Sequence, residues 1–74
     1  MIQVQAIPKD KQFSAVWEFG GGIWANSFIF AGVDEDGNEY YDPFSIENDS
    51  FDESRRGTAF FVQYPHQIFV ADEV

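Results

Sequence analysis

Residues 13–33, FSAVWEFGGGIWANSFIFAGV, contain the pattern that decides the fold. Phe13, Ala15, Trp17 and Phe19 are separated by single residues, which gives this part of the chain a hydrophobic period of two. Successive side chains of a β-strand point to opposite faces, so the pattern predicts a strand with one apolar face. The three glycines at 20–22 then interrupt the pattern, and glycine readily adopts the positive φ angles that a hairpin turn requires.

Residues 23–33 are rich in β-branched and aromatic side chains, which favours another strand over a helix, the rival interpretation of this stretch. The same reasoning predicts further strands at residues 2–6, 39–44, 58–64 and 67–71. Turn-forming residues separate the strands at 8–11, 34–38 and 65–66. Because proline cannot donate a backbone hydrogen bond, Pro43 predicts that the 39–44 strand ends at an edge of the sheet.

Residues 50–56 carry the one helix signal in the sequence. Ser50 and Glu53 fit a capping box, in which each side chain bonds the backbone amide of the other residue. The two arginines at 55–56 close the segment, and Gly57 follows at the C′ position. We therefore predict an all-β or β-rich α+β fold, a small antiparallel sheet or half-open barrel of five to six strands with one short helix near 50–56.

The composition indicates one folded domain, residues 1–74. Hydrophobic residues make up 45% of the chain and aromatic residues 19%, which is too apolar for a disordered chain despite the net charge of −9. The chain has no cysteine, so disulfides and Cys/His zinc sites are excluded. Oligomerisation, or docking on a larger partner, is an expected source of additional stability for so small a chain.

The amino-terminal residues lack the basic start and the long apolar run of a signal peptide. No stretch approaches 18 consecutive apolar residues, so no membrane-spanning segment is predicted. From these two observations we expect a cytoplasmic protein.

The acidic residues are concentrated in one segment. Residues 34–53 contain nine Asp and Glu residues and no base, while the other four acids balance the four bases of the chain. A fold of this size is roughly 30 Å across, and duplex DNA of that length carries about 18 phosphates. Nine carboxylates are about half that number, so a face that carries them could imitate a track of phosphates.

Patterns typical of catalysis or metal binding are weak. If Gly37 took position 6 of an EF-hand loop, Gly32 and Pro43 would fall where carboxylate ligands are required, although a weak cation site of another kind remains open. His66 is the one imidazole, and no Gly-x-Ser-x-Gly motif is present. The glycines at 20–22 lack the Lys-Ser/Thr of a phosphate loop. We expect no catalytic residue, metal or cofactor, and therefore a protein that is not an enzyme.

Direct nucleic-acid binding is also not expected, because it needs a positive groove and the chain has four bases. The acidic segment is instead suited to the basic surface of another protein, which it would reach faster through electrostatic steering. Tyrosine and phenylalanine within the segment can act as apolar anchors of such an interface. The predicted partner-binding residues are Asp34, Glu35, Asp36, Glu39, Tyr40, Tyr41, Asp42, Glu47, Asp49, Phe51, Asp52 and Glu53.

In length, acidity, lack of cysteine and β content, the chain is similar to small phage inhibitors that imitate nucleic acid. That similarity of composition and charge layout implies an anti-defence role against a nucleic-acid-processing enzyme or complex. The alternative hypothesis is a structural or assembly protein that forms a homodimer or a larger oligomer through its aromatic sheet.

Overall fold

Seven strands form one open antiparallel sheet in the computed structural model, which describes residues 1–71. The predicted small antiparallel sheet is therefore confirmed. The strands are β1 (Ile2–Val4), β2 (Phe13–Phe19), β3 (Gly22–Val33), β4 (Glu39–Ser45), β5 (Ser50–Phe51), β6 (Gly57–Thr58) and β7 (His66–Val70). Their spatial order is β1–β7–β2–β3–β4–β5, and β6 also pairs with β4.

The predicted hairpin of β2 and β3 is present, and it lies at the centre of the sheet. Seven residue pairs join the two strands, from Phe13 opposite Phe28 to Phe19 opposite Gly22. Gly20 and Gly21, which form the turn, both have positive φ angles. The period of two places Phe13, Ala15 and Trp17 on one buried face, where they belong to the core. Phe19, at the end of β2 beside the turn, is 53% exposed.

The predicted short helix near 50–56 is reduced to a single 3-10 turn over Glu53–Arg55. Ser50 does not cap it, because Ser50 belongs to β5 and pairs with Ser45 of β4. Asp52 is the N-cap instead, and its side chain accepts a hydrogen bond from the Ser54 amide. Pairing with β4 provides partners for the backbone hydrogen-bonding groups of Ser50, so the capping box does not form.

The predicted strand over residues 58–64 is wrong for most of its length. The extended segment is β6 alone, and a 3-10 turn follows at Phe60–Gln63. An extended strand would direct the adjacent side chains of Phe60 and Phe61 to opposite faces. In the turn, Phe61 is fully buried within the core and Phe60 contacts the ring of Trp17. The turn brings both rings against Trp17, which adjacent residues of an extended strand could not achieve.

The outer edge of β4 is covered in two halves. β5 pairs with its carboxyl-terminal part, at Phe44 and Ser45, and β6 pairs with its amino-terminal part, at Tyr40 and Tyr41. The chain bulges away between these contacts, where the Asp52 amide donates to the carbonyl oxygen of Pro43 at 2.8 Å. This arrangement brings the acidic segment to one side of the sheet. Within residues 1–71, no helix is long and apolar enough to cross a membrane.

Candidate functional site

The turn between β3 and β4 holds the first group of acids. Asp34 organises this turn, because its Oδ1 accepts hydrogen bonds from the amides of Asp36 (2.9 Å) and Asn38 (2.8 Å). Gly37 has a φ of 84°, which permits the reversal of the chain. The carboxylates of Glu35 and Asp36 are exposed and make no ion pair within residues 1–71. They are therefore open to solvent and to a partner.

Glu39 is the first residue of β4, and its carboxylate already has partners within the chain. Its carboxylate forms an ion pair with Lys9 and accepts a hydrogen bond from the Tyr41 hydroxyl at 3.0 Å. The hydrogen bond from Lys9, supported by the one from Tyr41, lowers the pKa of Glu39. Burial raises the pKa of Tyr41 to about 12, and its hydrogen bond to Glu39 acts in the same direction. The Tyr41 ring is 3% exposed and packs edge-on against Phe13, so this predicted anchor lies in the core.

The carboxylate of Asp42 also has a partner within the chain, although Asp42 lies in the middle of the acidic segment. It is 6% exposed, and its two oxygens accept hydrogen bonds from Nε (2.6 Å) and Nη2 (2.9 Å) of Arg56. The hydrogen bonds from Arg56 lower the pKa of Asp42, although burial opposes them, and the pKa of Arg56 is raised in return. Arg56 also lies over the ring of Tyr40, with 5.4 Å from its guanidinium carbon to the ring centre. This pair connects the bulged loop to β4.

The second group of acids lies at the other end of β4. Glu47 and Asp49 are exposed in the turn between β4 and β5, and Glu53 is exposed in the 3-10 turn. The Asp52 carboxylate holds that turn by accepting from the amide (3.0 Å) and the hydroxyl (2.6 Å) of Ser54. Phe51 is half-buried and packs edge-on against Phe44, so its ring supports the β4–β5 pair.

The structure therefore divides the predicted acidic surface into two groups. The ion pairs of Glu39 and Asp42 neutralise its middle, and the other seven acids make no ion pair within residues 1–71. β4 separates the two groups by about 20 Å, from its seven residues and a rise of ~3.3 Å per residue. The first group is Asp34, Glu35 and Asp36, and the second is Glu47, Asp49, Asp52 and Glu53.

An aromatic cleft of about 340 Å³ lies beside the second group. Its walls include Trp17, Trp24 and Phe60, and Arg55 lies at its side. The indoles and Phe60 come from three separate elements, so no local sequence motif predicts the cleft. The one sequence feature that indicates exposed aromatic rings is the number of aromatic residues, which exceeds what a small core can bury. Trp24 is 55% exposed and Phe60 is 49% exposed, in agreement with that surplus.

Among residues 1–71, no three acidic or histidine side chains are grouped in a way that could hold a metal ion. His66 is exposed, and its Nδ1 lies 2.8 Å from the carbonyl oxygen of Tyr64. No protein-family model, curated protein or solved structure is similar enough to this chain to match it.

Proposed function

We propose that the chain is a non-enzymatic, cytoplasmic binding protein that occupies a basic, nucleic-acid-binding site on a partner protein. It would act as an inhibitor that imitates nucleic acid, of the kind that serves against a defence nuclease. The observation that supports this proposal is the seven acids that make no ion pair within residues 1–71 and lie in two groups at the two ends of β4. No metal or cofactor is needed for such a role.

The two groups of acids would meet separate basic regions of a nucleic-acid-binding site. The gap of about 20 Å between the groups equals roughly six phosphate intervals of 3.4 Å along one strand of DNA. The carboxylates of Asp34 and Asp52 accept hydrogen bonds that organise the turns carrying Glu35, Asp36 and Glu53. A preorganised surface loses less conformational entropy when a partner binds.

The alternative, self-assembly through the aromatic sheet, has less support. The rings of Phe13, Phe28 and Tyr41 lie on the face of the sheet that Phe61 covers. This aromatic face is thus used within the chain, and fewer of its rings are available for a second copy.

Capture of partners from a cell lysate tests the proposal. The tagged protein should retain basic proteins at 0.1 M NaCl and release them at 1 M, where the Debye length falls from about 10 Å to about 3 Å. Duplex DNA should compete with the tagged protein for the captured partner, because DNA and the tagged protein would occupy the same site on it.

Two charge-reversed variants locate the surface. Glu35→Lys/Asp36→Lys changes the first group and Glu47→Lys/Glu53→Lys the second, and all four side chains are exposed. Asp10→Lys/Glu18→Lys is the matched control, because it changes the net charge by the same amount at exposed positions outside the segment. We expect both reversals to abolish capture and the control to keep most of it. Equal losses in all three variants, or capture that ignores salt, would contradict the proposal.

A further inference from the structure

Part of β3 has a free edge. β4 pairs with β3 from Phe28 onwards, so residues 23–26 have β2 on one side and no strand on the other within residues 1–71. In an antiparallel ladder alternate residues direct their N–H and C=O groups to the same neighbour, so two of these four residues direct theirs outward. At the end of this edge, the amide of Ser27 donates to Oδ1 of Asn26 (2.8 Å). Unpaired groups of this kind form a template for one more strand.

Two clefts open along this edge, and their chemistry differs. The aromatic cleft is lined by Trp24 and Phe60. A polar cleft of about 460 Å³ is lined by Glu47 and Asp52. Ala25, Asn26 and Arg55 line both clefts, so the two are neighbours along the same strand.

We propose that the free edge of β3 at residues 23–26 binds an extended segment of a partner protein, which adds a strand to the sheet and carries an apolar side chain next to a basic one. The apolar side chain enters the aromatic cleft, and the basic side chain meets the carboxylates of Glu47 and Asp52. Main-chain hydrogen bonds supply affinity in this mode of recognition, and pockets for neighbouring side chains supply specificity.

Charge favours a basic partner segment over a second copy of this chain. The polar cleft contains two carboxylates and one guanidinium, that of Arg55, and the whole chain carries a net charge of −9. A second copy would bring the same excess of negative charge to the edge. Exposed tryptophan is also a residue type that contributes strongly to the binding energy of protein interfaces. The inference rests on the proposed function for the sign of the partner's charge, whereas the free edge and the aromatic cleft are independent of it.

Synthetic peptides test the inference directly. The probe is a capped decapeptide that alternates Val or Phe with Lys or Arg. One control replaces its bases with Glu, and another carries N-methyl groups on all of its central amides, so that neither of its edges can donate ladder hydrogen bonds. Both tryptophans of the chain line the aromatic cleft, so their fluorescence reports binding. We expect saturable binding of the basic peptide and no binding of either control peptide. The bound peptide should also slow hydrogen exchange of the outward-directed amides at residues 23–26.

Variants of this chain provide matched comparisons. Phe60→Ala should weaken binding at least tenfold, and Val62→Ala should leave it within twofold, because Val62 belongs to the same 3-10 turn and is equally exposed but does not line the cleft. Arg55→Gln should strengthen binding of the basic peptide a few-fold, since it removes the one positive charge beside the polar cleft. This exposed side chain has no described ion pair whose loss would disturb folding.

Each of the following results would overturn the inference: no binding at 1 mM peptide, equal binding of either control peptide, equal effects of Phe60→Ala and Val62→Ala, or weaker binding of the Arg55→Gln variant. Protection of residues 23–26 that grows with protein concentration in the absence of peptide would also overturn it, because a second copy would then occupy the edge. The peptide result is separable from the proposed function. Glu35→Lys/Asp36→Lys should abolish capture of a basic partner and leave binding of the peptide nearly unchanged.

Discussion

At the scale of single residues, the middle of β4 is held by a chain of side-chain contacts. The ring of Tyr40 lies against Gly32, the guanidinium of Arg56 lies over that ring, and Asp42 receives two hydrogen bonds from Arg56. These contacts join β3, β4 and the loop before β6. Asp42, which the composition of the segment predicts to lie on a charged surface, thus has a structural role.

Asp42→Asn should destabilise the fold in a pH-dependent way. Asp42 is almost fully buried, and loss of its hydrogen bonds to a charged partner should cost about 1–3 kcal/mol at pH 7. Its pKa is lower in the folded state, so the folded chain binds this proton less readily than the unfolded chain does. The stabilising contribution is therefore complete above the unfolded pKa of about 3.9 and is lost as the pH falls through the folded value. Urea unfolding at pH 6 and pH 3 measures the difference between the two proteins.

Asp36→Asn is the matched control for that experiment, because its exposed carboxylate makes no ion pair within residues 1–71. We expect it to change the free energy of unfolding little at either pH. A difference between wild type and Asp42→Asn that stays constant from pH 6 to pH 3 would show that the ion pair is not its source.

Gly32→Ala should displace the ring of Tyr40. A Cβ atom at this position would lie 2.7 Å from the Tyr40 hydroxyl oxygen and 2.9 Å from Cζ, which is closer than packing allows. Such overpacking typically costs about 1–3 kcal/mol. Gly57→Ala is the control, since a Cβ there meets no atom within 4 Å. In a Tyr40→Ala background the cost of Gly32→Ala should shrink, and an unchanged cost in urea unfolding would rule out the ring as its cause.

At the scale of elements, the 3-10 turn at Phe60–Gln63 completes the core of the sheet. Phe61 projects from this turn, is fully buried and has ring contacts with Phe13, Trp17 and Phe28. These partners come from β2 and β3, so one side chain joins the turn to the central hairpin. The hydrophobic period identifies the hairpin correctly but wrongly predicts a strand at this turn. Phe60 and Phe61 are adjacent and both apolar, so the sequence does not show which of them faces the core.

Phe61→Ala should leave the chain close to its limit of stability. Removing a buried phenylalanine ring costs about 3–5 kcal/mol, whereas a chain of 74 residues has a total stability of about 4–11 kcal/mol. We expect a urea midpoint near zero or a partly unfolded chain, and a smaller loss for Phe61→Leu. Val62→Ala, on the exposed side of the same turn, should change stability by no more than about 0.5 kcal/mol. Similar losses at positions 61 and 62 would be inconsistent with this packing.

At the scale of the whole molecule, the charge is uneven and largely uncompensated. Two of the nine acids in residues 34–53 have ion-pair partners among residues 1–71, and the others lie at the two ends of β4. Mutual repulsion of like charges destabilises a compact state. The same charges would attract a basic partner, so a cost in stability accompanies the proposed function.

Added salt should therefore stabilise the folded chain. Screening weakens repulsion between exposed charges, and each kcal/mol gained raises the Tm by about 4–8 °C for a domain of this size. Thermal unfolding at 10 mM and 500 mM NaCl measures the effect. The variant Glu35→Gln/Asp36→Asn/Glu47→Gln should gain less from salt than wild type, because three repelling charges are gone. A Tm that falls with salt would mean that attractive ion pairs dominate.

The sequence alone determined the antiparallel sheet, its central hairpin with a buried face at Phe13 to Trp17, and the position of the acidic segment. These features depend on residues that are close together in the chain, where periodicity and composition carry the information. Tertiary structure decided which acids remain available, because Glu39 pairs with Lys9 and Asp42 with Arg56, far from each other in sequence. It also decided where the free edge and the clefts lie, since strand register and the bend before Phe61 bring distant residues together, and no local pattern encodes either.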